Sequence, residues 1–124
     1  MTENPQDRRQ AIRALFGHVK KISAIFTTIQ SPQKAIFVQV VNMSHGGIFF
    51  TFRSTRELRL QNGDHIIFKE FREKDLPPFA IQIEAKIVWV LDEPAMEFVG
   101  VGSKFINLSP ENKEKLEQFI QTCQ

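Results

Sequence analysis

Apolar and polar residues alternate along much of the chain, in short runs that turn-forming residues separate. The most regular run covers residues 81–89, where Ile, Ala and Trp occupy the odd positions and mostly polar residues occupy the even ones. Because successive side chains of a β-strand point to opposite faces, this pattern predicts a strand with one buried face. Trp89 ends the apolar series, so the pattern places its indole on the buried face together with Ile87.

Five further runs are rich in Ile, Val, Phe and Thr, the residue types that fit a pleated, half-buried surface. The first two predict an antiparallel hairpin, and Gly46-Gly47 then turns the chain into the third. The last run carries Gly100 and Gly102, where a bulge or a close backbone contact would leave no room for a side chain. The five predicted strands are residues 22–29, 35–41, 48–52, 65–68 and 98–105.

The C-terminal residues change to a helical repeat. Ser109 is a favourable helix N-cap and Pro110 suits the first helical position. Leu116, Phe119 and Ile120 then recur at helical spacing, so this amphipathic helix must cover an apolar surface. Six or seven short strands followed by one helix predict an all-β (mainly β) domain. The predicted architecture is a small antiparallel barrel or sandwich with the helix over an open end or face.

Length and composition indicate one ordinary globular domain. The chain has 124 residues, 42% of them apolar and 24% charged, so a single core suffices. Twelve Phe, one Trp and no Tyr predict an interior filled by rings without hydroxyl groups. Cys123 is the only cysteine, which excludes an internal disulfide and a cysteine-based zinc site. No apolar stretch approaches the roughly 18 residues of a membrane span, so we expect a cytoplasmic protein without membrane insertion.

Basic residues gather near the N-terminus, although the net charge is only +2. Residues 8–21 contain five Lys or Arg and no acidic residue. Guanidinium groups are planar forks of donors that grip phosphates or the O6/N7 edge of guanine. Arg8, Arg9 and Arg13 are therefore candidate anion-binding residues. The simpler interpretation is a solvated basic tail.

A polar turn lies between two strongly apolar predicted strands. Asn42 and Ser44 supply amide and hydroxyl groups, while Gly46 and Gly47 would let a ligand approach the backbone N–H groups. The simpler interpretation is an ordinary β-turn, because turns use these residue types in any case.

Together and in this order, the two segments resemble the signature of the PilZ domain family, bacterial receptors for cyclic di-GMP. The family's RxxxR motif corresponds to Arg9–Arg13, and its [D/N]xSxxG motif corresponds to Asn42–Gly47. The resemblance continues through Gly63, through residues 86–90 with their Trp, and through residues 100–105 followed by a helix. It therefore covers essentially the whole chain from Arg8 onward.

This resemblance implies a six-stranded antiparallel PilZ-type β-barrel with a C-terminal α-helix. Residues 1–21 would form a flexible N-terminal arm that carries RxxxR, and residues 22–124 would form the barrel and helix. It also implies a cyclic di-GMP receptor or adaptor that acts on a partner protein through ordering of the arm, with no other cofactor and no metal. The implied ligand-binding residues are Arg8, Arg9, Arg13, Asn42, Ser44, Gly46 and Gly47.

The family's pattern also implies a role for most of these residues. Arg9 and Arg13 would hold guanine edges and phosphates, while Asn42 and Ser44 would meet the base from the barrel. Gly47 would shape the turn. An arginine directly before RxxxR goes with an intercalated pair of ligand molecules. Many members have Asp where this chain has Asn42, so we expect a weaker contact with the guanine donors, since an amide offers only one acceptor oxygen.

Enzymatic functions find little support in the sequence. The three histidines lack metal-ligand spacing, and no nucleophile elbow surrounds Ser44-His45. We therefore expect no catalytic residues. Two competing hypotheses remain: a nucleotide-independent PilZ-type protein-interaction module, and an RNA-binding barrel. The second is disfavoured because most Phe residues alternate inward and leave no exposed aromatic ladder, so we expect no nucleic acid polymer as partner.

Overall fold

The computed structural model describes residues 14–15, 21–44, 46–55, 58–93 and 95–123. Strands dominate this part of the chain, and a helix ends it. The strands are β1 (Ala14–Leu15), β2 (Ile22–Thr28), β3 (Ile36–Met43), β4 (Gly47–Arg53), β5 (His65–Glu73), β6 (Phe79–Leu91) and β7 (Phe98–Phe105), and the helix is α1 (Pro110–Cys123).

Strands β2 to β7 form a closed antiparallel barrel. Their order is β3-β2-β5-β6-β7-β4, and β4 pairs again with β3 to complete the circle. The predicted all-β fold is confirmed, and closure identifies it as a six-stranded barrel with one C-terminal helix. The short strand β1 pairs with the end of β3, with Ala14 opposite Met43 and Leu15 opposite Asn42.

The predicted strands agree with those observed, apart from their ends. Strands β2 and β3 form the expected hairpin, with Ile22 opposite Val40 and Phe26 opposite Ile36. Strand β5 continues to Glu73, five residues beyond its predicted end at Phe68, because it pairs with β2 as far as Glu73 and with β6 as far as Phe71. The extension alternates less regularly than a simple strand, and for this reason the sequence pattern did not include it.

Aromatic rings fill the barrel, as the composition predicts. Phe26, Phe50 and Phe68 are fully buried, and their ring centroids lie 5.4 to 5.9 Å apart. Tilted and edge-on contacts at these distances are the arrangements that aromatic pairs favour. The core therefore needs few hydrogen-bonding partners for its largest side chains.

Helix α1 covers one end of this aromatic core. Ser109 caps it, since its hydroxyl accepts a hydrogen bond from the Asn112 backbone N–H at 3.1 Å. Phe119 stacks on Phe79 with a centroid distance of 5.0 Å and packs against Phe71 at 5.8 Å. The predicted apolar surface under the helix is thus the Phe71–Phe79 pair. Within the described residues, no helix combines the length and apolar character that crossing a membrane requires.

Candidate functional site

The turn between β3 and β4 is held by the side chain of Ser44. The Ser44 backbone N–H donates to the Gly47 carbonyl at 3.0 Å, and the Gly46 N–H donates to the Ser44 hydroxyl at 3.2 Å. Ser44 is only 3% exposed. Its hydroxyl therefore fixes the shape of the turn, a role that serine commonly has in such local motifs.

Two backbone contacts attach this turn to β7. The Phe105 N–H donates to the Gly46 carbonyl at 3.0 Å. Gly47 lies so close to β7 that a β-carbon there would come within 2.2 Å of the Ser103 carbonyl oxygen. Close approach, and not a positive φ, is therefore the reason for glycine at position 47.

One row of cross-strand partners runs across the barrel next to the turn. Asn42 of β3 lies opposite Phe49 of β4. Phe49 lies opposite Gly102 of β7, which in turn lies opposite Trp89 of β6. The row continues to β1 through the pairing of Leu15 with Asn42. Residues distant in the sequence thus share one level of the barrel wall.

Two β-bulges decide which members of this row face outward. Val41 is an extra residue in β3, between the pairs of Val40 and Asn42 with β4. Val88 is an extra residue in β6, between the pairs of Ile87 and Trp89 with β7. An extra residue reverses the alternation beyond it, so each bulge turns the following side chain away from the core.

The bulge at Val88 explains why the expected burial of Trp89 is wrong. Ile81, Ile83, Ala85 and Ile87 are buried as the alternation predicts. Trp89 follows the bulge and is 42% exposed. Valine is an ordinary strand residue, so nothing in the local sequence marks this irregularity.

The indole of Trp89 lies directly over Gly102. A β-carbon at position 102 would come within 2.0 Å of the Trp89 Nε1 atom, so only glycine leaves room for the ring. The absence of this side chain also lets Trp89 meet Phe49, with ring centroids 5.0 Å apart. The predicted close contact at Gly102 is therefore made by an aromatic side chain.

A cavity of about 400 Å³ opens beside the turn and the aromatic pair. Four residues that were predicted from the sequence to bind the ligand line this cavity together, namely Asn42, Ser44, Gly46 and Gly47. Trp89, Phe49 and Lys104 also line the cavity but were not selected. One available signal was the position of the chain's single Trp on the strand expected beside Gly100 and Gly102.

The three selected arginines, Arg8, Arg9 and Arg13, lie outside the described residues, as does His45 of the turn. The nearest described part of the N-terminal segment is β1, at the Asn42–Met43 end of β3. In the described ranges, no three His, Cys, Asp or Glu side chains are grouped as metal ligands would be.

Comparison with known proteins supplies an independent line of evidence. The profile of the PilZ domain matches residues 7–122. The fold resembles the PilZ domain, with c-di-GMP, of YcgR from Escherichia coli, with a TM-score of 0.65, 15% identity, and coverage of 94% of this chain and 91% of that one. A search of curated protein sequences finds no match.

Two longer proteins contain a similar fold. The inhibitor of motility (MotI/DgrA) of Bacillus subtilis aligns with a TM-score of 0.63 and 20% identity over 93% of this chain. The MrkH–c-di-GMP complex of K. pneumonia aligns with a TM-score of 0.65 and 11% identity, also over 93%. This chain spans 50% of the length of each. At these identities the likeness concerns the fold.

Proposed function

The chain belongs to the PilZ domain family, and from this premise we propose that it is a receptor that binds cyclic di-GMP in the cavity beside the Ser44–Gly46 turn. PilZ domains are generally receptors or adaptors for this nucleotide and not enzymes. The cavity joins the turn motif to an aromatic pair, the exposed Trp89 and the half-buried Phe49. The site is thus suited to a ligand that carries both hydrogen-bonding edges and flat rings.

The pairing of Ala14 with Met43 is the observation that carries this proposal. Because β1 and β3 are antiparallel, Ala14, the N-terminal residue of β1, lies at the end of β3 that continues into Ser44. Arg13 is bonded to Ala14, and consecutive Cα atoms are about 3.8 Å apart. Arg9 lies five residues before Ala14, a span of at most about 18 Å when extended. Both motif arginines are therefore tethered within reach of the turn.

The chemistry of the cavity suits a guanine nucleotide. The Asn42 amide carries one acceptor oxygen and an NH₂ donor group, which match donors and acceptors on a guanine edge. Trp89 and Phe49 present ring surface on which a base can stack. The motif arginines add forked donors for phosphate oxygens and for guanine O6 and N7. Ser44 fixes the turn through its bond with the Gly46 N–H and also lines the cavity.

We further propose that the bound nucleotide holds the N-terminal segment against the barrel. Mutual repulsion among Arg8, Arg9 and Arg13 opposes their approach to one surface, and a dianion between them removes that repulsion. The docked segment would then create or hide a surface for a partner protein. The exposed apolar side chains of Leu91 and Phe98, on the same wall as Trp89, give such a partner a place to bind.

Calorimetric titration with cyclic di-GMP tests the proposal, with GTP and cyclic di-AMP as controls. Substitution of Arg9 or Arg13 by Ala should cost roughly 1.5–3 kcal/mol, about tenfold to over a hundredfold in affinity. Arg72→Ala is the matched control, because Arg72 lies on β5, three strands from β4 in either direction around the barrel. Equal affinities of wild type, R9A and R13A would refute this placement of the site.

The stoichiometry of the same titration tests the role of Arg8. If Arg8 selects an intercalated pair of nucleotides, two molecules bind per chain and Arg8→Ala reduces the number to one. One molecule per wild-type chain would remove this part of the proposal.

The second candidate is a protein-interaction module that works without a nucleotide. The exposed side chains of Leu91 and Phe98, 45% and 46% exposed, favour it. A folded protein that gives no binding heat with any of the nucleotides would favour this candidate over the first.

A further inference from the structure

Two lysines oppose each other on the outside of the barrel next to the cavity. Lys86 of β6 is the direct cross-strand partner of Lys104 of β7, and both side chains are exposed. Like charges directly opposite each other in an antiparallel pair are destabilising. The arrangement therefore calls for a compensating negative charge.

The surrounding strands do not supply that charge. Strands β3, β4 and β7 contain no Asp or Glu, and the only acidic residue of β6 is Glu84. On β5, the other neighbour of β6, Glu70 lies opposite Ala80 and Glu73 comes later still, whereas Lys86 lies opposite His65 at the other end of the pairing. Glu84 lies two residues before Lys86 but contacts His65, with its Oε2 3.1 Å from the imidazole Nδ1. Neither lysine forms an ion pair with any described residue. Neutralisation of the lysine pair therefore requires an anion from outside these strands.

The position of Lys104 relates this pair to the cavity. Lys104 lines the cavity and is the cross-strand partner of Gly47, which ends the turn motif. It therefore stands on the β7 side of the turn, whereas β1, the described part of the N-terminal segment, lies beside β3. Basic groups would then approach one ligand from two sides.

We propose that Lys104, supported by Lys86, is a second phosphate-binding element of the cyclic di-GMP site. This inference rests on the proposed function. A cyclic dinucleotide carries two phosphodiester groups, each with one negative charge, and the arginines and the lysines would each neutralise one of them. Lysine suits this position because its ammonium group acts as a point charge on a flexible stem and needs no fixed orientation.

Charge reversal at Lys104 provides the sharpest test. Lys104→Glu should weaken cyclic di-GMP binding at least about tenfold, Lys104→Ala about fivefold, and Lys86→Ala less, since Lys86 does not line the cavity. Lys104→Arg keeps the charge and should stay near wild type. Lys113→Glu, on the exposed face of α1, is the matched control and should have no effect. Raising the salt concentration from 0.1 to 1 M should reduce the difference between wild type and K104E, because the screening length falls from about 10 to about 3 Å.

Stability without ligand gives a second, independent readout. Lys104→Glu converts the like-charged pair into an oppositely charged one, so K104E should unfold at a higher urea concentration than wild type while binding less nucleotide. A variant that merely misfolds would unfold at a lower urea concentration than wild type and would also bind less nucleotide.

The possible outcomes separate this inference from the proposed function. If wild type binds and R9A does not, while K104E binds like wild type, the lysine element is refuted and the receptor function stands. If K104E weakens binding but remains equally weakened in 1 M salt, a change of shape and not of charge is responsible, and the inference also fails. If wild type does not bind cyclic di-GMP, both proposals are refuted.

Discussion

The indole of Trp89 covers Gly102, at a distance that would bring a β-carbon on residue 102 within 2.0 Å of the indole Nε1. The two residues lie on neighbouring strands and are direct cross-strand partners. Two features place the indole there. The bulge at Val88 in β6 turns Trp89 outward, and the missing side chain at Gly102 in β7 leaves room for the ring.

Gly102→Ala should displace the indole with little loss of global stability. The obstructing atoms belong to an exposed side chain that can rotate, so we expect a change in unfolding free energy below about 1 kcal/mol. Trp89 is the only Trp and the chain has no Tyr, so intrinsic fluorescence reports on this ring. The emission maximum should move to longer wavelength. An unchanged spectrum in G102A would contradict the contact.

Trp89→Ala should weaken cyclic di-GMP binding if a guanine stacks on this ring. Stacking of a base on an aromatic side chain contributes roughly 1–3 kcal/mol, so we expect a loss of about fivefold to over a hundredfold. Trp89→Phe keeps a ring and should recover part of that loss. Fluorescence of the wild type should also change on addition of the nucleotide, and calorimetry that finds W89A as tight as wild type would exclude stacking.

Gly47→Ala and Gly46→Ala form a matched pair within one turn. A β-carbon at position 47 would lie 2.2 Å from the Ser103 carbonyl oxygen, whereas at position 46 the nearest atom is the Ser44 Oγ at 3.7 Å. Backbone cannot move aside as a side chain does, so G47A should lose about 1–3 kcal/mol of stability. G46A should stay within about 0.5 kcal/mol of wild type. Urea unfolding of both variants measures this difference. Equal stabilities of G47A and G46A would argue against the close approach of Gly47 to β7.

Phe119→Ala should destabilise the whole domain without touching the candidate site. Its ring is 7% exposed and stacks on Phe79 with an interplanar angle of 8°. Removing a buried Phe typically costs about 3–5 kcal/mol, which is a large share of a small domain's stability. Leu116→Ala, in the same helix, should cost about 2–5 kcal/mol by the same mechanism. A folded F119A protein with an unchanged thermal midpoint would show that the packing of α1 against Phe71 and Phe79 does not stabilise the domain.

The sequence pattern was sufficient for the all-β class and for the order of the elements, because the local signals agreed with one another. Alternation located β6, the Gly46-Gly47 turn preceded β4, and Ser109-Pro110 marked the start of α1. Closure of the barrel could not be predicted from these signals alone, because it depends on the pairing of β4 with both β3 and β7. The family resemblance supplied that step.

The candidate site was predicted only where a short motif marks it. Asn42, Ser44 and Gly47 belong to one motif and were found together. Trp89, Phe49 and Lys104 come from three strands, and only the register of those strands brings them to the same cavity. Strict alternation even assigned Trp89 to the wrong face, since a bulge at a valine carries no sequence signal of its own. Positions that depend on register are thus the hardest to infer from one sequence.

The barrel closes where β3 pairs with β4, and the turn that joins these two strands forms one wall of the candidate site. A molecule bound at this turn would contact the ends of both β3 and β4. Under the proposed function, ligand binding would then favour the paired strands over a locally opened barrel. Position 47 would then be constrained twice, by the close approach of β4 to β7 and by ligand binding.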